Sequence, residues 1–232
     1  MIKKVLKKIK GFIKVILPSK VVEDNYYKKL FVKNDKWNKA IPNNDELRRW
    51  ESIEAFIKEI GFSQESLILD LGCGRGWLSN LLSKYGDVIG IDPVKVVVNY
   101  ARELFPHIKF LKGTTKNILP NYSEKFDLIV SSEVFEHIED SKKEAFVKDI
   151  FNLLKPNGTV IITTPRKEVF NEWAKVTGIK QPVEDWISEQ QIEDMFKKNG
   201  GKNPKLKRIP VQFNEQTVIE IYQVWLFKKD EK

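Results

Sequence analysis

A short stretch near residue 70 constrains the fold more than any other part of the chain. Residues 67–71 read Leu-Ile-Leu-Asp-Leu, an apolar run typical of a strand that is buried on both faces. Three glycines follow at alternate positions, Gly72, Gly74 and Gly76. Residues 77–85 then place apolar side chains at helical spacing, and the run ends at a glycine. The pattern predicts a strand, a glycine loop and a helix.

A loop of this kind leaves main-chain amides uncovered at the start of a helix. Glycine permits the unusual backbone angles of the turn, and a ligand can then press against bare backbone at the helix N-terminus. The dinucleotide-binding loop has the spacing G-x-G-x-x-G. Here the spacing is G-x-G-x-G, and Asp70 stands two residues before the first glycine. A tight turn that binds no ligand is the alternative interpretation of the loop alone.

The stretch from Asp70 to Gly76 resembles the first motif of the class I S-adenosylmethionine (SAM) methyltransferases, which is written D-x-G-x-G-x-G. The resemblance implies that the loop faces the amino-acid end of SAM, the expected cofactor. The residues that it places at the cofactor in this part of the chain are Asp70, Gly72, Cys73, Gly74, Gly76 and Trp77.

The second predicted strand, residues 88–93, ends in an acid. A strand–helix–strand unit of this length is parallel and right-handed, so Asp92 is expected at the same sheet edge as the glycine loop. A carboxylate there can accept hydrogen bonds from both hydroxyls of a ribose. The methyltransferase resemblance implies the same role for Asp92, with Pro93 beside it.

The loop after the third predicted strand, residues 108–111, departs from the methyltransferase pattern. Members of the family often carry an acid there that contacts the adenine amino group, whereas this chain has Thr114 and Thr115. We expect both threonines near the cofactor, with a hydroxyl or a backbone group serving the adenine.

Residues 126–138 form the second informative stretch. They resemble the F-D-x-I-x-x-x-E-V-x-E-H-[VI] pattern of small-molecule methyltransferases, which include ubiquinone-biosynthesis O-methyltransferases and enzymes that modify sugars and antibiotics. The resemblance places Ser132 and Glu133 at the cofactor. His137 is a candidate general base, with Glu136 as the carboxylate that orients it or holds the substrate. In the alternative interpretation, Glu136 caps a helix and His137 closes the loop over the cofactor.

These motifs predict an α/β fold: a Rossmann-like three-layer sandwich with a seven-stranded, mostly parallel sheet and an antiparallel C-terminal hairpin. We divide the chain into a basic amphipathic helix (1–18), a helical cap (19–62) and a SAM-binding domain (63–232). An aromatic insertion, 166–188, is expected to shape the acceptor pocket. By the resemblance, cap residues can line the site, and one arginine can pair with the cofactor's carboxylate. The candidates are Trp37, Arg48, Arg49 and Trp50.

The charge of the chain is concentrated at its N-terminus. The net charge is +8, but seven lysines and no acid lie in residues 1–20, which leaves +1 for the rest. Residues 1–17 predict an amphipathic helix that lies on an anionic membrane surface or packs on the protein itself or a partner. It is too interrupted by charge to span a bilayer. The near-neutral remainder disfavours nucleic acid as a partner.

The chain contains one cysteine and two histidines, which disfavours a disulfide framework and a metal site and fits a cytoplasmic protein, peripheral to a membrane if the terminal helix binds lipid. The function that these observations predict is methyl transfer from SAM to a hydroxyl or amine of a small molecule, such as a sugar or a lipid-linked precursor. Three alternatives stay open: a non-catalytic protein that keeps the fold, an RNA methyltransferase and an NAD-dependent oxidoreductase. The oligomeric state stays open as well.

Overall fold

The computed structural model describes residues 19–35, 37–177 and 185–231. The amphipathic helix predicted for residues 1–17 lies outside these ranges. Within them, no helix is both long enough and apolar enough to cross a membrane.

A single seven-stranded sheet organises the molecule, with the strand order β3-β2-β1-β4-β5-β7-β6. The first five strands pair in parallel, and β7 pairs antiparallel with both β5 and β6. The predicted C-terminal hairpin at the sheet edge is therefore confirmed. The strands are β1 (Leu67–Leu71), β2 (Asp87–Asp92), β3 (Lys109–Lys112), β4 (Phe126–Ser132), β5 (Leu154–Pro165), β6 (Gly201–Asn214) and β7 (Thr217–Lys229).

Helices cover both faces of this sheet. Because β1 alternates its side chains between the faces, Ile68 packs in the cluster that contains Phe56, and Leu69 packs in the cluster that contains Val147. The three-layer α/β architecture predicted above is thus confirmed. The described helices are α1 (Ser19–Phe31), α2 (Asn44–Ile60), α3 (Trp77–Leu82), α4 (Lys95–Leu104), α5 (Thr115–Tyr122), α6 (Asp140–Leu153), α7 (Phe170–Thr177) and α8 (Glu189–Lys198).

Capping residues explain the start of α2, and one further helix, α5, was not predicted. Helix α2 begins at Asn44, because the side chain of Asn43 accepts the amides of Asp45 and Glu46 at 3.0 Å each and forms a capping box with Glu46. Helix α5 has no counterpart in the sequence analysis. It is a short helix with Thr114 at its N-cap and Pro120 inside it. Glycine, threonine and proline are typical of loops, so the local sequence does not indicate where this helix begins and ends.

Candidate functional site

A cavity of about 910 Å³ opens at the edge of the sheet where the parallel strands end. Its walls come from the loops after β1, β2, β3 and β4, from α1, α2 and α6, from Tyr222 of β7, and from Trp173 of the insertion. The predicted site residues that line it are Asp70, Gly72, Cys73, Gly74, Trp77, Asp92, Pro93, Thr114, Thr115, Ser132, Glu133, Glu136 and His137.

Gly76, the third glycine of the loop, lies outside that lining. It is the N-cap of α3 at φ +85°, and a Cβ there would stand 2.7 Å from the ring of Phe110. Gly72 has φ +81°, and a Cβ there would lie 2.2 Å from Val134. Both positions therefore require glycine, the first for packing behind the loop and the second for the close approach of the loop after β4.

Two carboxylates stand beside the glycine loop: Asp70 is buried and Asp92 is half-buried. Asp92 accepts the amide of Gly74 at 3.2 Å and that of Val94 at 2.8 Å. Asp70 accepts the hydroxyl of Ser79 at 2.5 Å, which joins β1 to α3. Burial raises the pKa of Asp92 to about 6, and burial together with the charge of Asp92 raises the pKa of Asp70 to about 7. Both carboxyl groups are therefore weaker acids than ordinary aspartates.

The glycine loop is tied to the cap by a buried ion pair. The guanidinium of Arg75, which is 1% exposed, donates to both carboxylate oxygens of Glu46 at 2.6 and 2.7 Å. Its Nε donates to the carbonyl of Lys39 at 2.6 Å. The contacts join α2 and the segment before it to the loop after β1. Sequence analysis missed this pair, because no local pattern connects positions 29 residues apart.

The structure separates the four cap candidates into two groups. Trp37 and Arg49 line the cavity. Trp50 packs in the hydrophobic core instead, and Arg48 donates to the carbonyl of Pro210 at 3.3 Å, away from the cavity. Of the two adjacent arginines, only Arg49 faces the candidate site.

Arg49 carries the most unusual environment in the cavity wall. Its side chain is 5% exposed, its guanidinium lies 4.9 Å from the centre of the Tyr222 ring, and its Nε has no hydrogen-bond partner. The pKa of Arg49 is raised, because the attraction of Glu133 and other neighbours outweighs the cost of burial. A buried guanidinium donor without a partner indicates a place for an anionic or carbonyl oxygen.

Glu133 is the acid that faces Arg49 from the loop after β4. It adopts φ +56°, a left-handed conformation rare for a residue with a side chain. The hydroxyl of Thr163 donates to its Oε1 at 2.9 Å and lies 2.9 Å from the hydroxyl of Ser132. Burial, with the charge of Glu136, raises the pKa of Glu133 to about 8.

Glu136 and His137 lie on a 3₁₀ turn, Phe135–His137, just beyond Glu133. The hydroxyl of Thr164 donates to Oε2 of Glu136 at 3.0 Å, and Oε1 lies 3.7 Å from Nε2 of His137. The His137 ring meets the ring of Tyr27 edge to face, with centroids 6.4 Å apart. Glu139, not Glu136, is the N-cap of α6. The carboxylate of Glu136 thus faces the imidazole and β5 rather than a helix end.

The described part of the insertion forms an aromatic wall. Trp173 lines the cavity, and its ring lies 4.8 Å from that of Trp186, which meets Phe170 edge to face at 5.1 Å. Residues 178–184 of the insertion lie outside the described ranges. The prediction that this insertion shapes the acceptor side therefore rests on Trp173.

A buried lysine contacts the part of the insertion that lies next to Glu136. Lys143 of α6 is 1% exposed and donates to the side chain of Asp140 and the carbonyl of Asp185. The amide of Asp185 donates to the carbonyl of Glu136 at 2.9 Å. One ammonium group thus links α6, the insertion and the 3₁₀ turn.

The second histidine of the chain does not line the cavity. His107 is exposed and is absent from the cavity wall. Among the residues that the structure describes, no three histidine, cysteine or acidic side chains come together in a way that could hold a metal ion.

Known proteins resemble this chain in sequence and in fold. Residues 68–158 match the family described as "Methyltransferase domain". The chain is 34% identical over 153 residues to the mitochondrial ubiquinone biosynthesis O-methyltransferase of Bos taurus, covering 57% of this chain and 40% of that protein. It is 30% identical over 128 residues to the ubiquinone biosynthesis O-methyltransferase of Azorhizobium caulinodans, covering 50% of this chain and 49% of that protein. The chain thus spans less than half the length of these two relatives.

Solved structures share the fold at low identity. The magnesium protoporphyrin IX methyltransferase of Synechocystis PCC 6803, solved with bound SAM, matches with a TM-score of 0.66 and 15% identity, covering 91% of this chain and 97% of that one. The PH0226 protein of Pyrococcus horikoshii matches with a TM-score of 0.68 and 17% identity, covering 89% and 99%.

Proposed function

We propose that this chain, whose residues 68–158 form a class I SAM-dependent methyltransferase domain, transfers a methyl group from SAM to a hydroxyl or amine of a small molecule. One observation carries the proposal. A single cavity joins the bare glycine loop, Asp92 and the partnerless donor of Arg49 to the Glu136–His137 pair.

The residues present fit SAM. In our assignment, the glycine loop and Arg49 hold its amino-acid end, and Arg49 supplies the guanidinium that a carboxylate needs. Asp92, at the end of β2, holds the ribose hydroxyls. The sulfonium of SAM supplies an already activated methyl group, so the protein's main tasks are to align the acceptor and exclude water.

His137 is the candidate base for the acceptor. We propose that its imidazole accepts the proton of the acceptor hydroxyl as the acceptor attacks, while Glu136 stabilises the resulting charge from 3.7 Å. The bond between Glu136 and Thr164 fixes that carboxylate. The aromatic wall near Trp173 suits an acceptor with an apolar or ring-shaped body, such as a sugar or a lipid-linked precursor.

Binding of S-adenosylhomocysteine, measured by titration calorimetry, tests the cofactor assignment. We expect Arg49→Met to weaken binding about tenfold or more, because a charge-assisted hydrogen bond contributes about 1.5–3 kcal/mol. Arg48→Met is the matched control and should bind like the wild type, since Arg48 points to Pro210. Equal effects of the two variants would contradict the role of Arg49.

The same titration with NAD separates the enzyme classes. Binding of NAD without binding of S-adenosylhomocysteine would contradict the methyltransferase proposal and favour an oxidoreductase. Transfer of a tritiated methyl group from SAM to sugar, phenol, amine and RNA acceptors tests catalysis. Binding without transfer to any class would favour a non-catalytic protein, and transfer to RNA alone would favour the RNA methyltransferase alternative.

We also propose that the chain divides into three parts, with boundaries after residues 18 and 62. We further propose that the protein is cytoplasmic and that its residues 1–17 contact the membrane surface. Flotation with anionic vesicles tests the membrane contact on the full chain. A variant with its N-terminal lysines changed to glutamate should lose flotation, because anionic lipid attracts each lysine near the surface. Equal flotation of the two proteins would contradict membrane binding. The lysines to change are Lys3, Lys4, Lys7, Lys8, Lys10 and Lys14.

A further inference from the structure

The loop after β3 lacks a carboxylate in sequence, yet the fold brings one to it. Asp149, in the middle of α6, accepts the hydroxyl of Thr115 through Oδ2 at 2.6 Å. Both residues line the cavity, together with Thr114 and Gly113 of the same loop. The acid is 34 residues away along the chain, so the departure seen in the sequence does not leave this corner of the cavity without a carboxylate.

This corner lies one strand beyond the candidate ribose acceptor, a position that suits the purine rather than the sulfonium end of the ligand. Asp92, the candidate ribose acceptor, ends β2, and the cavity wall continues through Pro93, Val94 and Val97. Strand β3 neighbours β2 in parallel, so the loop with Thr115 lies at the same edge. The corner thus combines an apolar wall with one polar edge, as a flat heteroaromatic base requires.

The polar edge offers one donor and one acceptor. Thr115 is the first residue of α5, and a helix leaves its first amides without intrahelical partners. The hydroxyl of Thr115 holds Oδ2 of Asp149, and no described residue forms a hydrogen bond with Oδ1. Adenine presents the complementary pair, an amino group that donates and a ring nitrogen that accepts.

From this complementarity we infer that Asp149 is the adenine-recognising residue of this chain, accepting the exocyclic amino group of SAM while the amide of Thr115 serves the ring nitrogen. The inference rests on the proposed function. It predicts selection against 6-oxopurines, because a carbonyl at that position would face the Asp149 carboxylate.

Calorimetric titration with two ligands tests this assignment on the full chain. The ligands are S-adenosylhomocysteine and S-inosylhomocysteine. The second compound has a carbonyl in place of the amino group at the purine six-position and a proton on the adjacent ring nitrogen. The wild type should prefer the adenine compound at least about tenfold, the effect of one charged hydrogen bond. Asp149→Asn should lower affinity for the adenine compound and shift preference towards the inosine compound, because the amide of asparagine can donate to the carbonyl.

Glu144→Gln is the matched control, since Glu144 lies on the same helix but contacts Asn199 and Lys198, outside the cavity wall. It should retain the wild-type preference. Equal binding of the two ligands by the wild type, or an unchanged preference in Asp149→Asn, would overturn the inference while leaving the proposed function intact.

Wild-type protein that binds neither ligand would instead contradict the proposed function. If Asp149→Asn does not fold, as judged by its thermal transition, Thr115→Val replaces it. That variant removes the 2.6 Å bond that orients Asp149, and it should reduce the preference for the adenine compound. An unchanged preference there would also overturn the inference.

Discussion

The two halves of the cavity are built in different ways. The cofactor half, formed by the loops after β1, β2 and β3, relies on bare backbone and on carboxylates that accept nearby amides and hydroxyls. The acceptor half, formed by the loop after β4, the insertion and the facing part of β7, brings Glu133, Glu136 and Tyr222 together beside Arg49 of α2, which we assign to the cofactor's carboxylate. Arg49 and Glu133, which attract each other there, are distant in sequence.

The comparison shows which kind of binding site can be located from the sequence. A site that holds a ligand with main-chain atoms must encode a special backbone, and glycines at fixed spacing record it. A site that holds a ligand with converging side chains leaves no such record, since its members come from the whole chain. The predictions below test whether the halves act as separately as this comparison suggests.

The largest expected effect is a loss of kcat without a loss of cofactor binding. We expect His137→Asn to lower kcat by about 10²–10⁴-fold with any acceptor that the wild type methylates, because proton removal by a positioned base contributes that much. The dissociation constant of S-adenosylhomocysteine should change less than about twofold. Single-turnover kinetics and calorimetry measure the two effects, and an unchanged kcat would exclude His137 as the base.

The second prediction concerns the ion pair between Arg75 and Glu46, which joins the glycine loop to α2. Arg75→Met should lower the free energy of unfolding by about 3–5 kcal/mol, because it leaves the buried carboxylate of Glu46 without its partner. Denaturant titration measures the loss. The double variant Arg75→Met/Glu46→Leu should recover much of it, since no unpaired charge then stays buried. A single variant as stable as the wild type would show that the pair does not hold the cap on the loop.

A smaller effect is expected from the link between the insertion and the catalytic turn. Lys143→Met removes the donor to the carbonyl of Asp185, so we expect a loss of about 1–3 kcal/mol in unfolding free energy. The KM for the acceptor should rise while binding of S-adenosylhomocysteine stays the same. Lys148→Met, an exposed position on the same helix, is the control. A matching KM in both variants would contradict a positioning role.

The smallest expected effect is a pH dependence of folding stability, to which Glu133 contributes at higher pH than Asp70 and Asp92. The raised pKa of Glu133, about 8, means that the folded chain holds a proton which the unfolded chain releases near pH 4.5. Stability should therefore fall as pH rises through this window. Asp70 and Asp92 act the same way, but only up to about pH 7 and 6.

Thermal unfolding of Glu133→Gln checks this assignment. The variant should lose the decline in Tm between pH 7 and 8 and keep most of the decline below pH 7, which the cofactor-half carboxylates produce. If the wild type shows no decline above pH 7, the raised pKa of Glu133 is contradicted.

Most of the architecture could be predicted from sequence. Apolar runs and glycines located β1, the glycine loop and α3, and the position of Asp92 followed from the strand–helix–strand unit. The predicted fold also included the antiparallel C-terminal hairpin at the sheet edge. Helix α5 was missed, because its capping threonine and internal proline favour a loop when considered locally.

The side-chain network could not be predicted in the same way. Arg75 with Glu46, Arg49 with Tyr222 and Asp149 with Thr115 each join elements distant in sequence. One sequence carries no signal of such pairs, and only the packing of α2 and α6 against the sheet reveals them. The resemblance named arginines of the cap, but the turn of α2 decides that Arg49 and not Arg48 faces the cavity.

Thermal unfolding with S-adenosylhomocysteine tests whether the glycine loop and Asp92 form a SAM site. At a hundred times its dissociation constant, a ligand stabilises the folded state by about 2.7 kcal/mol, which corresponds to a rise in Tm of about 5–10 °C for a chain of this size. The account predicts that rise for the wild type, its loss in Asp92→Ala, and no rise with NAD. A rise with NAD alone, or an equal rise in Asp92→Ala, would contradict the account.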